Sequence, residues 1–487
     1  MKNLTTNKKL MTIVLGAILI LYFTPQLVHA STVTLNGNTC VPPLGTWDAA
    51  TSTCTTGSGT HTLSSPEVLV IPSNTTLNVT GTLDINGGII NNSGTIMDQE
   101  NMIINSGGVI NNEYNATIRN FQSGTMIINN GANIKNNGVI FNLNDIINNN
   151  GGTITNQRSG IIYDKDSGSV RNNAGGTITN DYVILVLGTL SNSGTFSNGG
   201  TLYNFNNVWN NGGTFNNVVG ATINNYRVGN IRNNVGGTIN NNGAIVSSGT
   251  INNVGTITNT AAGTITSSGT FYNTGTLNST GTIENSGVLT GKGTVSNSGA
   301  LNNNGNINMM GSITNTGTIS NSGSIESRGT TTNSGTVLNP GVISNSGTLT
   351  NDVSGIINSV GSLNNYGTIF NSGSITNTGL IHDPGILTNN AGGTITNSGT
   401  VYSAGKINNS GTATNEISGS VVITVQGSLT NNSGGVIIND GVYFNHGTTT
   451  NNSGSTYTND GIIFNPGTLT NQAGSTFTNN GVLFPWG

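Results

Sequence analysis

Charged side chains are scarce in this 487-residue chain: Asp, Glu, Lys and Arg make up 6% of it, and aromatic residues 5%. The 13 Lys and Arg are too few for the cationic surface that a nucleic-acid-binding protein needs. Helix-forming residues are also sparse, whereas 72 Gly and 86 Asn, both poor helix formers, make up about a third of the chain. A nucleic-acid partner and a helical bundle are therefore excluded. With 33% hydrophobic residues, charge-rich disorder is excluded as well.

Long apolar runs are missing except near the start. Three Lys precede an apolar run from Leu10 to Phe23, and a small-x-small cleavage pattern ends at Ala30. This order is typical of a secretory signal peptide. A transmembrane anchor is the alternative, but the run is shorter than the ~20 apolar residues that span a bilayer. We predict that residues 1–30 are a cleaved signal. The mature chain then begins at Ser31, has no membrane span, and is secreted or held at the cell surface.

The chain has only two Cys, and both lie shortly after the predicted signal. Cys40 and Cys54 flank Trp47. In an oxidising compartment we expect the two Cys to form a disulfide. A pair of metal-binding thiolates is the alternative, but no second Cys pair or His cluster completes such a site. We predict that residues 31–66, with this disulfide, form an N-terminal cap.

The rest of the chain, residues 67–487, is repetitive. The unit is Gly-Thr-Ile-x-Asn-x. Its Gly recurs every six residues from Gly269 to Gly347, and elsewhere many units have eight residues. The residue two positions after the Gly, usually Ile, Leu or Val, advances by six or eight at every step from Ile223 to Leu483. Because strand side chains alternate between two faces, even steps keep this residue on one interior side.

Two places depart from the even spacing. The step from Val208 to Phe215 is seven residues, which predicts a bulge or loop there. Upstream, Ile96, Ile103 and Ile110 also step by seven, which indicates a looser pattern at the start of the repeats.

Each unit is too short for a helix but holds one short strand and a corner. Three near-copies of one longer repeat begin at Thr430, Thr450 and Thr470, and each contains one eight-residue and two six-residue units. We therefore predict an all-β fold, an elongated single-stranded parallel β-helix (β-solenoid) with three sides and about 18–20 residues per coil. At ~4.8 Å per coil, about 20 coils form a rod of ~100 Å.

The Asn of each unit shares the parity of the apolar residue, so it faces the interior or a corner. Inward Asn side chains could bond to the copies above and below in ladders. The alternative is that Asn and Gly occupy corners because both tolerate left-handed backbone conformations. We leave both interpretations open. At the C-terminal end, Pro485 and Trp486 are expected to block the last coil.

The stretches Gly-Thr-Ile-Ser-Asn-Ser-Gly-Ser-Ile from Gly317 and Asn-Ala-Gly-Gly-Thr-Ile-Thr-Asn from Asn390 resemble the haemagglutinin-type repeats of filamentous bacterial surface adhesins. The resemblance covers most of the chain after about residue 80. It implies a right-handed parallel β-helix on a cell surface that contributes to adhesion. Two features depart from that family: no recognisable secretion domain precedes the repeats, and strict hexads are more typical of left-handed β-helices. Handedness is therefore open, with a right-handed coil favoured.

Acidic residues are the first candidates for chemistry. The densest charged cluster is Asp164-Lys165-Asp166, near Arg158 and Arg171. Carboxylates one coil apart could act as acid and base or bind a metal. The favoured interpretation is a solvated loop, because runs of charge are usually exposed.

Asp440 and Asp460 occupy the same position in two successive near-copies, and so lie at equivalent corners of adjacent coils. They could share a Ca²⁺ ion, although Asp in an Asn-Asp-Gly corner is usually a turn former. His382 and Asp383 form an isolated pair in one corner, with no nucleophile spaced to suit it. We therefore assign no catalytic residue and no cofactor, and keep Asp440 and Asp460 as the metal candidates.

Three functions fit these observations. The leading hypothesis is an exported structural or adhesive rod without catalysis, with cell-surface glycans or other surface proteins as partners. The second is a carbohydrate-active β-helix enzyme of the polysaccharide lyase or hydrolase type. The third is an ice-binding surface, because outward Thr arrays order water. Thr448 and Thr450 align with Thr468 and Thr470, but such ranks are expected to reach only two or three coils.

Overall fold

The computed structural model describes residues 31–37, 40 and 44–485, and every regular element in these ranges is a β-strand of three to five residues. Almost every strand pairs in parallel with the strand three further along the chain, as in the pair Thr256–Asn259 and Thr276–Ser279. Three successive strands therefore form one coil, and the coils stack into three sheets. The predicted three-sided β-solenoid is confirmed, whereas its handedness stays a prediction. The signal predicted at residues 1–30 lies outside the described residues.

In the described part of the chain, sheet A has 22 strands, which agrees with the expected number of about 20 coils. Its strands are Thr32–Thr34, Val68–Ile71, Ile89–Asn92, Val109–Asn112, Asn133–Asn136, Thr153–Asn156, Thr177–Asn180, Thr195–Asn198, Thr214–Asn217, Thr238–Asn241, Thr256–Asn259, Thr276–Ser279, Thr294–Asn297, Ser312–Asn315, Thr330–Asn333, Thr348–Asn351, Thr368–Asn371, Ile386–Asn389, Lys406–Asn409, Ser428–Asn431, Thr448–Asn451 and Thr468–Asn471.

Sheet B begins with a hairpin and continues as a parallel stack. Its strands are Gly45–Asp48, Thr53–Thr56, Thr76–Val79, Thr95–Asp98, Thr117–Asn120, Val139–Asn142, Ile161–Asp164, Val183–Val186, Thr201–Asn204, Thr222–Asn225, Ala244–Ser247, Thr264–Ser267, Thr282–Asn285, Ala300–Asn303, Thr318–Asn321, Thr336–Asn339, Ile356–Ser359, Ser374–Asn377, Thr394–Asn397, Thr412–Asn415, Val436–Asn439, Thr456–Asn459 and Thr476–Asn479.

Sheet C completes each coil. Its strands are Thr60–Ser64, Thr82–Asn86, Asn101–Asn105, Thr125–Ile128, Asp145–Asn148, Ser169–Asn172, Thr189–Asn192, Asn207–Asn210, Asn230–Asn233, Thr250–Asn253, Thr270–Asn273, Val288–Gly291, Asn306–Met309, Ser324–Ser327, Val342–Asn345, Ser362–Asn365, Leu380–Asp383, Thr400–Ser403, Ser420–Ile423, Val442–Asn445, Ile462–Asn465 and Val482–Pro485.

The second residue of a typical strand is apolar and buried, and these residues form one continuous core along the stack. The looser pattern predicted around Ile103 is wrong. Ile103 faces outward, while Met102 and Ile104 are fully buried. The inward series therefore runs from Ile96 through Met102 to Ile110 in steps of six and eight.

Two odd steps nevertheless keep their apolar residues inside. Leu83 and Ile90, like Val208 and Phe215, are buried and seven residues apart. Each step contains a glycine with positive φ, Gly87 (φ 80°) or Gly212 (φ 88°). The irregularity predicted between Val208 and Phe215 is thus a lengthened corner, and the corner absorbs the odd residue before the next strand begins.

Glycine in the six-residue units has a different role from the predicted one. A Cβ atom on Gly293 would lie 2.1 Å from the carbonyl oxygen of Gly275 in the coil below. The same oxygen accepts a hydrogen bond from the Thr294 N–H (2.9 Å). These corners need glycine because stacked backbones approach closely, and their φ is not positive. The predicted left-handed glycines occur instead in longer corners, as at Gly131 (φ 75°).

Asparagine ends most strands, and its side chain is fully buried. In sheet B, Asn285 Nδ2 donates to Asn303 Oδ1 (2.7 Å), and Asn303 Nδ2 donates in turn to Asn321 Oδ1 (2.8 Å). Asn303 Nδ2 also reaches the backbone oxygen of Ser324 (3.0 Å). Of the two interpretations left open, the ladder is therefore confirmed for these residues. Each amide ties one coil to the next through its Nδ2 group, which satisfies the buried donors. The Oδ1 of Asn285, at the start of this run, is buried without a hydrogen-bond partner.

The two ends differ from the middle. Thr53–Thr56 pairs in parallel with Thr76–Val79 and is covered on its other edge by the antiparallel strand Gly45–Asp48. This arrangement suits the cap proposed for residues 31–66, which stays a prediction. At the other end, Pro485 pairs with Asn465 at the end of the last strand. Trp486, the other residue expected to block that end, lies outside the described residues.

Candidate functional site

The cysteine pair lies inside the first coil. Cys40 and Cys54 form a disulfide, their Cα atoms are 5.5 Å apart, and both side chains are buried. The predicted pairing is confirmed. A cross-link here closes the loop that carries Trp47, which packs against the core.

The charged cluster around Asp164 is split between the interior and the surface. Asp164 is fully buried and accepts a hydrogen bond from Asn142 Nδ2 (2.7 Å). Asp166 is exposed in the following corner. Arg171 pairs with Asp145 (3.3 Å). The solvated-loop interpretation therefore holds for Asp166 but is wrong for Asp164, because the carboxyl group occupies a ladder position in place of Asn.

His382 and Asp383 belong to a strand, not to a corner as expected, and they point to opposite faces. The Asp383 carboxyl is buried and accepts a hydrogen bond from Asn365 Nδ2 (2.7 Å). The His382 ring lies outside, between the rings of Tyr366 and Tyr402 (centroids 6.0 and 5.7 Å away). The two side chains therefore do not form a catalytic dyad.

The metal candidates Asp440 and Asp460 occupy equivalent corners of adjacent coils, since the residues that precede them are register partners. Asp460 Oδ1 accepts a hydrogen bond from Asn480 Nδ2 (2.7 Å). Asp440 lines a shallow surface depression with Glu416. Within the described part of the chain, no group of three His, Cys, Asp or Glu could hold a metal ion. The Ca²⁺ ion shared by Asp440 and Asp460 therefore stays a prediction, and two carboxylates alone add no support to it.

Three carboxyl groups replace Asn in the ladders: Asp98, Asp164 and Asp383. Burial disfavours their charged forms and raises the pKa of Asp98 and of Asp164 to about 7. Burial likewise raises the pKa of Asp383 to about 6, against the opposing effect of the hydrogen bonds from Asn365 and Ser403.

Asp98 is the first polar residue of its ladder, and it faces the Oδ1 of Asn120, an acceptor that receives no hydrogen bond. Val79, its register partner on one side, has no polar side chain, and Asn120 is its partner on the other. Both carboxyl oxygens of Asp98 and the Oδ1 of Asn120 are buried without a hydrogen-bond partner. A protonated Asp98 supplies the O–H that this junction lacks. The other two buried carboxyl groups, Asp164 and Asp383, accept hydrogen bonds from Asn residues of a neighbouring coil.

An apolar patch covers part of the outer face of sheet B. Its residues share the first and third positions of three successive strands, and we call them the sheet B patch. They are Val139, Phe141, Ile161, Tyr163, Val183 and Leu185. The Phe141 and Tyr163 rings stack with centroids 5.0 Å apart. Each side chain is partly exposed, so the strands present a continuous apolar surface to solvent.

A second exposed stack lies on sheet C near the C-terminus. Phe444, Phe464 and Phe484 occupy the same outward position of successive strands, and we call them the sheet C column. Their centroids are 5.0 and 4.9 Å apart and the rings are nearly parallel. Neighbouring rings cover each other's faces, so the ring edges meet solvent. Sequence reasoning identified the three near-copies that contain these Phe residues but missed that the rings form an exposed surface.

Comparison with known proteins gives one family. The Haemagglutinin repeat family matches residues 206–275, 276–323, 327–399, 371–433 and 445–483, which together are more than half of the chain. No curated protein matches the chain significantly. Among solved structures, the TibC-catalyzed hyper-glycosylated TibA55-350 fragment is 13% identical. That match covers 86% of this chain and 100% of the fragment, and its TM-score of 0.12 is too low to support any inference.

The described residues contain no helix long and apolar enough to cross a membrane. The described residues form three stacked sheets built from one repeated unit. The family match lies between residues 206 and 483 of this repeat region. The chain belongs to the haemagglutinin-repeat family.

Proposed function

We propose that the protein is an exported rod, displayed on or released from a cell surface, with a structural or adhesive role and no catalysis. The observation that carries this proposal is the continuous core with its Asn ladders. Along the stack, interior polar groups largely bond to equivalent groups of the next coil, as Asn285, Asn303 and Asn321 do. An interior of this kind provides stiffness over ~100 Å and contains little that could bind a substrate.

The placement of the carboxylates supports a role without catalysis over the carbohydrate-active alternative. Such an enzyme needs carboxyl groups that converge on one groove. Asp164 is buried in a ladder, and Asp440 lies roughly 65 Å further along sheet B at about 4.8 Å per strand. Asp440 and Asp460 are close in register, but they share a corner surface and not a groove between sheets.

Export is supported by the disulfide, since such bonds persist in oxidising compartments. Adhesion is supported by the sheet B patch and the sheet C column, because exposed apolar surface on a soluble rod marks a contact site. Cell-surface glycans and other surface proteins are the partners that we propose for these surfaces.

The test has two parts. Mass spectrometry of the exported protein is expected to show an N-terminus at Ser31, and retention of residues 1–30 would contradict cleavage. The purified protein is then applied to cells and to a glycan array. The double variant Phe444→Ser, Phe464→Ser, which alters the sheet C column and leaves the sheet B patch intact, is expected to weaken binding. Tyr272→Ser removes an exposed aromatic residue outside the column and is expected to keep binding. Failure of the wild-type protein to bind either surface would leave a structural role alone.

A further inference from the structure

The outer face of sheet A differs in chemistry from the other two faces. From Thr153–Asn156 to Thr348–Asn351, eleven consecutive strands carry only Thr, Ser or Asn at both outward positions. The first position is Thr in every strand except for Ser312. We call this region the sheet A face. It contains no charged and no aromatic side chain, whereas the same coils carry Tyr272 on sheet C and Glu284 on sheet B.

The length of this face corrects the expectation that Thr ranks reach only two or three coils. Coil length varies along the chain, so residues that stack are not evenly spaced in sequence. Thr177 pairs with Thr195 across a short coil, whereas Thr214 pairs with Thr238 across a longer one. The strand register brings Thr residues that are unevenly spaced in the sequence into one column, and this column is continuous over the eleven strands.

The hydroxyl groups of this rank are free to bond outside the protein. No Thr on the sheet A face makes a side-chain hydrogen bond to another described residue, although Thr260 and Thr274 in nearby corners do. Threonine has few χ1 rotamers in a strand, so neighbouring methyl and hydroxyl groups are held in similar orientations. Flat sheets of many strands are typically stabilised by such in-register stacking.

The face therefore presents a two-dimensional grid. Strands repeat at about 4.8 Å along the stack, and the two outward residues of a strand are about 7 Å apart. Eleven strands make the grid roughly 50 Å long. Both spacings lie near the in-plane repeats of the oxygen lattice on a prism face of hexagonal ice. A regular uncharged grid suits a crystalline, electrically neutral surface. A flexible glycan or a protein is bound through pockets, aromatic rings or charges, and this face has none of these.

We propose that the sheet A face binds ice, with Thr methyl groups and hydroxyl groups holding surface water in lattice positions. This activity is separate from the adhesive surfaces proposed for sheets B and C. It uses a different side of the rod, so the rod could hold ice and a second partner together.

Two double variants test the proposal with the same chemical change. Thr256→Lys with Thr276→Lys places two charges on adjacent strands in the middle of the sheet A face. Thr264→Lys with Thr282→Lys places them at the same unit position on adjacent strands of sheet B. Circular dichroism is the check that each variant keeps its β-structure. If either pair disturbs folding, Thr256→Tyr and Thr264→Tyr replace them as single changes.

The measurements are thermal hysteresis and the shape of ice crystals grown in the purified protein. The wild-type protein and the sheet B variant are expected to separate melting and freezing points and to facet crystals. The sheet A variant is expected to lose both effects. Absence of both effects in the wild-type protein overturns the proposal. Equal activity of the two variants, or adsorption to a crystalline polysaccharide without any effect on ice, overturns it as well.

Discussion

Residues 109–181 and residues 263–351 build the same coil with different corners. In the first region most units have eight residues, and several four-residue corners include a residue with positive φ, such as Gly151 (74°) and Gly175 (79°). In the second region nearly all units have six residues, and no residue of the two-residue corners has positive φ. The apolar core continues through both regions, whereas Ser, Gly or Met replaces the ladder Asn in several strands of the second region, as at Gly291. Corner conformation is therefore freer to change than the inward apolar position of the strand.

The largest effect is expected from a one-residue insertion inside a strand, because it reverses which of the following side chains point inward. Inserting one Ala between Ile283 and Glu284 turns Asn285 away from the ladder and removes its 2.7 Å bond to Asn303. Since a buried amide and core packing are lost together, we expect the local free energy of opening to fall by about 4 kcal/mol. Amide hydrogen exchange of the peptides around this strand measures the change.

The matched insertion is one Gly in the following corner, next to Gly287. It imitates the three-residue corner that contains Gly212 in the native chain. We expect it to cost less than half as much. Equal costs for the two insertions would show that corners do not absorb odd residues.

The two corner types also predict different responses to the same substitution. Gly293→Ala places a Cβ atom 2.1 Å from a backbone oxygen that cannot move away easily, and we expect a loss of about 3 kcal/mol. Gly392→Ala, in a longer corner with φ of 83°, meets no atom within 4 Å. The only cost of this substitution is that of holding Ala in a left-handed backbone conformation, about 1 kcal/mol. Local hydrogen exchange compares the loss of stability in the two variants. A larger loss for Gly392→Ala than for Gly293→Ala would contradict the explanation given for the corners of six-residue units.

Much of this architecture can be predicted from the sequence, because the pattern is local. The spacing of Ile223 to Leu483 predicts an inner column, and the copies at Thr430, Thr450 and Thr470 predict three sides. Burial of Asp164 was not predicted, since a charge-rich stretch usually marks a solvated loop. Its position at a strand end, where other units have Asn, was the signal that could have identified it.

The Asn ladders of both regions join coils through amide hydrogen bonds, whereas the junction between Asp98 and Asn120 lacks such a bond. The pKa of this carboxyl is raised to about 7, so the folded protein binds its proton more tightly than the unfolded chain. Stability from this group is therefore full below pH ~4 and falls as pH rises towards 7. Asp98→Asn removes this loss and donates to Asn120, so we expect it to stabilise the region by about 2 kcal/mol at pH 8.

Hydrogen exchange at pH 5 and pH 8 measures this effect. The gain should be greater at pH 8, and Asp181→Asn, which changes an exposed carboxyl, should show no such gain. A gain for Asp98→Asn that is the same at both pH values would mean that proton binding at Asp98 does not set the difference.

The smallest effect concerns a gap in the inner column. Ala413 stands between its register partners Ile395 and Ile437, and a cavity of about 70 Å³ lies beside it. Ala413→Ile fills this space, and we expect a gain of about 1 kcal/mol. Local hydrogen exchange measures it, with Ala300→Ile on the outer face as a control. A loss at Ala413 would show that the surrounding coils have already closed around the small side chain.

The inner wall, the number of sides and the coil length are properties of the repeat, because strand alternation and unit length act on neighbouring residues. Which outward residues lie side by side is a property of the stack. Coils of unequal length bring Thr177 to Thr195 and Thr214 to Thr238. The roles of Gly and Asn also depend on the coil below, since a close backbone contact and an amide bond both need a partner that is distant in sequence. The Thr grid, the apolar patch and the buried acids therefore appear only when the coils are stacked.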